Sequence, residues 1–490
     1  MKQSIYNIFK INSGLFICLL ICGSSLYGQS TVEERIREVE SNLSDRILIK
    51  GTTPMNIEER MAHYHVKGLS IAVIRDYKLE WAKAYGFADE AQKVPVTPYT
   101  RFQAASISKS LNGVGILKLH QNRKVDLDAD INSLLKTWKF PYDSLSKGKK
   151  INLKNLLSHT AGLSVHGFGG YEPGTSIPTV IQILDGSPPA NSAAVRSEFE
   201  PGLKSQYSGG GTTITQLIVS DITDQPYEQF MATQVLKPLG MTNSTFSFPA
   251  EHASPADYAT GYDTDGKEIK GKYHLYPERA AAALWTTPTD LARYIIETEL
   301  SYQGKSKKVL DQQSTILRLT PYSNDEAALG VFIEDAQGTK YFGHGGANEG
   351  FRSGYYGSFE GGNGLVIMVN SDNGEIIQEL MNSISRVYGF KGLNKSKEIT
   401  LAQVTELDLQ PYLGKYELMP GFVLSITNEG NRLFAQATGQ TKLEVYPETS
   451  SKFFYKVINA NMEFVKDASG NVNKMIFTQG KTIEAKKLTN

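Results

Sequence analysis

The chain changes texture once along its length, and that change limits what it can fold into. Residues 31–385 mix helical patterns, short strands and many Gly/Pro turns, whereas residues 386–408 are charged and weakly patterned. Beyond them lie short strand candidates such as Phe422–Ile426, Arg432–Gln436, Lys442–Tyr446 and Lys474–Thr478. Turn signals, Glu429-Gly430-Asn431 and Ser469-Gly470-Asn471 among them, separate several of these strands. The expectation is a large mixed domain over 31–385, a linker over 386–408 and a small antiparallel barrel or sandwich over 409–490.

The first 28 residues read as none of these. Lys2 and Lys10 precede an apolar stretch from Leu15 to Cys22, followed by small and polar residues up to Gly28. This is the pattern of a secretory signal peptide cleaved after Gly28, and the apolar run is too short to span a membrane. Ile21 is bulkier than the residue lipoprotein cleavage sites accept before a cysteine, which argues against an anchor at Cys22. The expected location is therefore secreted or periplasmic, with no membrane span in the mature chain.

Both cysteines, Cys18 and Cys22, fall within that segment, so the mature chain has no thiol, disulfide or cysteine-ligated metal. Without residues 1–28 the chain has 49 basic and 51 acidic side chains, a net charge of −2. That balance gives nucleic acid or an anionic membrane no electrostatic hold. No cofactor or metal is called for; His63 and His65 sit two apart and cannot share a helical face.

Chemistry enters at Ser106-Ile107-Ser108-Lys109. Residues three apart on a helix are neighbours, so Lys109 can reach the Ser106 oxygen and help remove its proton. Ser-x-x-Lys occurs four times, starting at Ser106, Ser133, Ser144 and Ser146. Only Ser106 stands between an extended segment, Thr100–Gln103, and a helical stripe of Ile107, Leu111, Val114 and Leu117. The pattern places it at a helix N-terminus, where free N–H groups favour developing negative charge.

Three further segments attract attention. In Glu200-Pro201-Gly202 through Tyr207 to Gly209-Gly210-Gly211, a Pro-Gly turn leads to a tyrosine and then to glycines that let backbone approach a ligand. Tyr207 can share a proton with Ser106 and Lys109, and cationic neighbours would lower its pKa. In Gly343-His344-Gly345-Gly346-Ala347 the glycines strip bulk from around a histidine, which suits a strand edge lining a cleft. Ser158-His159-Thr160, between leucine pairs, reads as a tight buried turn in which His159 is structural.

Together these residues resemble the serine β-lactamase-related proteins of class C type, which also include penicillin-binding DD-peptidases, D-aminopeptidases and esterases. The resemblance spans roughly residues 55–385. It rests on the Ser106–Lys109 box, Leu156-Leu157-Ser158-His159-Thr160-Ala161-Gly162-Leu163, the Pro-Gly turn before Tyr207, Lys237–Phe246 and Thr287–Ala292. It implies an α/β (α+β) β-lactamase-like fold, an antiparallel sheet flanked by helices with an all-helical region. The C-terminal region resembles the small lipocalin-like, barrel-like β-domain appended to many such proteins.

By this resemblance Ser106 is the acylated nucleophile, Lys109 its base partner and Tyr207 the second proton carrier. His344, Gly345 and Gly346 fall where relatives carry Lys-Thr-Gly or His-x-Gly, and the Ser106 and Ala347 N–H groups would form the oxyanion hole. Two departures stand out. Gly209 replaces the asparagine of Tyr-x-Asn, and His344 replaces a lysine that would hold a carboxylate. The expected activity is acyl-serine hydrolysis of small esters, peptides or cell-wall-derived amides. The alternative is a penicillin-binding or peptidoglycan-peptide receptor that deacylates slowly. Other readings lack their signatures: there is no Gly-x-Ser-x-Gly elbow in the mature chain, and no Gly-Lys-Ser/Thr follows Gly209–Gly211. Arg352 is a candidate replacement anchor for a carboxylate.

Overall fold

Seven strands form the central antiparallel sheet of a computed structural model that describes residues 30–44, 46–250 and 252–488. The expected signal peptide, residues 1–28, lies outside the described residues. In spatial order the strands are Val94–Pro95, Lys78–Asp89, Gly68–Arg75, Gly364–Val369, Phe351–Ser358, Thr339–Asn348 and Phe332–Ala336. The two central strands, Gly68–Arg75 and Gly364–Val369, pair from Leu69↔Val369 to Ile74↔Gly364 and are buried almost throughout. Both faces of the sheet are covered, so their sequences run apolar instead of alternating.

On one face, helices Val32–Glu40, Ile57–His63 and Glu375–Tyr388 enclose a core that includes Ile71, Leu365, Ile367, Leu380 and Ile384. The other face carries the larger core, shared with helices Ser108–Gln121, Gly209–Thr223 and Pro288–Tyr302 and the chain around them. Helix Ser108–Gln121 departs from the expected one-sided stripe. It is buried nearly all round, because helices Gly209–Thr223, Arg279–Ala282 and Gln312–Leu319 all pack against it. Gly113 and Gly115 admit further close neighbours: an added Cβ would meet the Leu329 carbonyl at 2.6 Å and the Met231 sulfur at 2.8 Å.

The C-terminal domain is a closed eight-stranded barrel from Gly414–Met419 to Lys481–Lys487, whose first and last strands pair. Closure leaves no free strand edge. Tyr416, Phe453, Met462, Phe464 and Met475 pack in its core, and Tyr412 stacks on Phe464 with ring centroids 4.4 Å apart. Residues 386–408, expected to be a linker, carry strand Lys397–Ile399, which pairs in parallel with Ile47–Ile49. Ile47, Ile49 and Ile399 form a small apolar cluster with Phe454 of the barrel. A three-residue strand with one buried isoleucine among Lys and Glu has too little pattern to stand out in the sequence.

Candidate active site

Ser106 sits where strand Phe102–Ala105 turns into helix Ser108–Gln121. The turn takes two residues. Ala105 adopts the left-handed region, φ +49°, a strained conformation for a residue with a side chain. The Ile107 N–H donates to the Ala104 carbonyl and the Lys109 N–H to the Ser106 carbonyl, each at 3.0 Å. Ser106 is left partly exposed among buried neighbours.

One helical turn on, the Lys109 ammonium nitrogen lies 3.1 Å from Ser106 Oγ and donates to the Ala281 carbonyl at 2.8 Å. Lys109 is 4% exposed, and among the described residues it has no carboxylate partner. Burial brings its pKa down to about 7, so a large fraction is neutral at physiological pH. The Ala281 carbonyl, from the short helix Arg279–Ala282, is a part of the site that no side-chain motif could announce.

Tyr207 completes the cluster. Ser106 is near enough to its phenol to oppose the effect of burial on the tyrosine pKa, and Lys109 Nζ lies 4.9 Å from its ring centroid. The lowered pKa expected for Tyr207 is not found. Burial raises it to about 12 and outweighs the opposing influence of Ser106. The triple glycine after it also has another purpose than ligand approach. Gly209 and Gly210 open helix Gly209–Thr223, where an added Cβ would press on Phe168 at 2.8 Å and Val195 at 2.7 Å.

His159 holds the Tyr207 loop in place. Its carbonyl accepts from Gln206 N–H at 2.7 Å, and its Nδ1 accepts from Ser208 N–H at 3.2 Å. Its ring lies 4.3 Å from that of Tyr207, centroid to centroid. The structure therefore places His159 in the expected buried turn and, in addition, against Tyr207. Burial, then the Lys109 charge and His344, hold it well below the usual histidine range.

Strand Thr339–Asn348 brings His344 to the same place. Its outer neighbour reaches only to Phe332↔Gly343, so from His344 to Asn348 it pairs on one side, with Tyr355 to Phe351. Gly346 is required here: a Cβ would run into the Ala104 carbonyl and the Ser353 hydroxyl. That contact seats the strand against the one that delivers Ser106. Ala347, one residue on, is exposed.

The His344 ring lies 6.2 Å from Tyr207 and 5.2 Å from Phe332. Phe332, which carries no motif of its own, is also nearly parallel to His159 and Tyr207. His344 Nδ1 sits 2.6 Å from the Gly345 carbonyl, which can only accept, so the proton is on Nδ1. Its Nε2 is buried and has no hydrogen-bond partner. Burial, then the Lys109 charge, brings its pKa down to about 3 despite the Gly345 hydrogen bond, so the imidazole is neutral. Arg352 is not a free anchor: it salt-bridges Asp372 at 2.7 Å and donates to the Asn348 carbonyl.

The other three Ser-x-x-Lys tetrapeptides are engaged elsewhere. Ser133 donates to the Asp130 carbonyl while Lys136 pairs with Asp224. Lys147 and Lys149, which follow Ser144 and Ser146, both pair with Glu200.

Comparison with known proteins gives the family and the fold. The profile of the Beta-lactamase family matches residues 55–380, and that of a domain of unknown function, DUF3471, matches residues 400–488. Protein flp of Staphylococcus aureus (strain N315) is 26% identical over 337 residues, 67% of this chain and 64% of that protein. The chain thus spans just under two thirds of that relative's length. Two solved structures share the fold. The octameric penicillin-binding protein homologue from Pyrococcus abyssi superposes with a TM-score of 0.61 at 21% identity, covering 88% of this chain and 98% of that one. The D-amino acid amidase from Ochrobactrum anthropi SV3, complexed with L-phenylalanine amide, gives 0.57 at 20% identity over 74% and 99%. With two thirds of its length matched by one family profile, this chain belongs to the beta-lactamase family of penicillin-binding-like serine hydrolases.

Proposed function

We propose that this protein hydrolyses esters or peptide-like amides through an acyl-enzyme on Ser106. The observation that carries the reading is the buried, largely neutral Lys109 amine 3.1 Å from the Ser106 hydroxyl. A neutral amine can take the serine proton as the oxygen attacks the substrate carbonyl. Tyr207, protonated and close to Ser106, is suited to pass a proton to the departing alcohol or amine. The Ser106 and Ala347 N–H groups receive the developing oxyanion in this reading. Water then releases the acid by the same proton path in reverse.

The natural substrate is read as a small ester, a peptide or a cell-wall-derived amide met outside the cytoplasm. The export reading rests on Lys2, Lys10 and the apolar run after them; a mature N-terminus at Gln29 would support it. A second reading has its own observation. Gly209, packed under Phe168, offers no side chain to an acyl group, and a slowly deacylating receptor fits that loss. The test is to run a serine-reactive phosphonate and a fluorescent penicillin on wild type and Ser106→Ala in parallel with ester turnover. Labelling lost in Ser106→Ala together with sustained turnover supports the hydrolase. A single stoichiometric burst with no steady state favours the receptor, and labelling retained in Ser106→Ala rejects both.

A further inference from the structure

Two glycines around His344 are not required by the backbone. Gly343 and Gly346 are: a Cβ at Gly343 would meet the Tyr355 carbonyl at 2.6 Å, and Gly346 abuts Ala104. At Gly345, by contrast, a Cβ would find only the Ser353 carbonyl, 3.8 Å away, and at Gly354 only the Ile377 methyl at 3.5 Å. Neither has a positive φ. The two face each other across the strand pair, Gly345↔Gly354, on the sheet face toward helix Glu375–Tyr388. Side chains there would fill a cavity of about 370 Å³, bounded by Phe332, His344, Ile377 and Met381 besides the glycines. That volume lies in the range of ~300–1,000 Å³ typical of small-molecule sites.

Continuity and chemistry point to an occupant. Phe332 and His344 belong both to this cavity and to the ring cluster around Tyr207. The strand edge between them is unpaired beyond Gly343, so a substituent can pass around it. The carboxylate and amide in the wall already have partners, Glu334 held by Lys395 and Gln378 donating to Asn382 at 3.0 Å, while His344 is a neutral ring with an unpartnered Nε2. No free charge is left to recognise an ion, while Phe332, Ile377 and Met381 offer apolar surface.

We propose that this cavity is a subsite for the leaving group of the substrate, and that it takes an uncharged apolar or aromatic alcohol or amine portion. The assignment rests on the acyl-serine reading, because the leaving atom must face its proton donor, and the Tyr207 ring lies 6.4 Å from Phe332 and 6.2 Å from His344, two residues that line the cavity.

Butyl acetate and 4-phenylbutyl acetate test it, since their alcohols have nearly equal pKa and the same acyl group. The wild-type kcat/KM ratio, phenylbutyl over butyl, is expected to be at least tenfold. In Met381→Trp and in Gly354→Leu, two independent ways of filling the cavity, that ratio should fall at least fivefold. A wild-type ratio near one overturns the subsite, and so does a ratio unchanged in both folded variants. Failure of the acyl-serine reading shows elsewhere, as hydrolysis that survives Ser106→Ala.

Discussion

Lys109 concentrates the chemistry of the site in one buried amine. Its pKa of about 7 lies far below that of a free lysine, so acylation should rise with pH through about 7 as the proton leaves, while Tyr207 stays protonated. A pre-steady-state pH profile checks this; a flat profile from pH 5 to 9 contradicts it. The same shift bears on stability. The native state holds the Lys109 proton less tightly than the unfolded chain, so between about pH 7 and 10 unfolding takes up protons and stability rises with pH. Lys109→Met removes this dependence. Chemical denaturation should show wild type gaining on the variant by up to about 1.4 kcal/mol per pH unit in that window. Lys109→Ala and Tyr207→Phe should each slow acylation more than about a hundredfold, and non-additively, because they act as one unit. In the proposed reaction His344 bears on substrate choice. It is a neutral acceptor, and Arg352 is committed to Asp372, so the site lacks a ready carboxylate clamp. Aryl esters should therefore exceed a chromogenic cephalosporin in kcat/KM by at least about tenfold, roughly 1.4 kcal/mol. Equal efficiencies would mean the missing groups have been replaced.

At the scale of elements, the site is a meeting of two strands and two helix starts. Strand Phe102–Ala105 presents Ser106, and strand Thr339–Asn348 crosses it so closely that only glycine fits at 346. Gly346→Ala should cost on the order of 1–3 kcal/mol as an overpacked contact, and Gly345→Ala, which has room, well under 1. Thermal unfolding of the two variants checks the contrast. This level also shows what the sequence made legible. Ser106, Lys109, Tyr207 and His344 each carried a local mark: spacing, a Pro-Gly turn, flanking glycines. The Ala281 carbonyl, Phe332 and the strained Ala105 carried none, because a backbone acceptor, a packed ring and a dihedral angle leave no residue-type signature. Gly209 and Gly210 carried an ambiguous mark, since glycine looks alike whether it admits a ligand or a neighbouring loop.

Across the whole molecule, the two-texture sequence anticipated a β-lactamase-like body and a barrel, because alternating short strands and long buried runs differ visibly. The tie between them through Ile47–Ile49, Lys397–Ile399 and Phe454 was hidden in charged sequence. Every residue proposed for catalysis belongs to the larger body, so deletion of residues 403–490 should leave Ser106 reactive toward a phosphonate while lowering the midpoint of thermal unfolding. Loss of labelling in a folded truncation would give the barrel a part in the site. In the proposed reaction this fold activates one serine by bringing Lys109, Tyr207 and His344 to it from distant segments. Peptide mapping of the intact protein after phosphonate labelling tests it most directly. A single adduct is expected on the peptide containing Ser106, absent in Ser106→Ala; an adduct on Ser133, Ser144 or Ser158 instead would mean that Ser106 is not the activated serine.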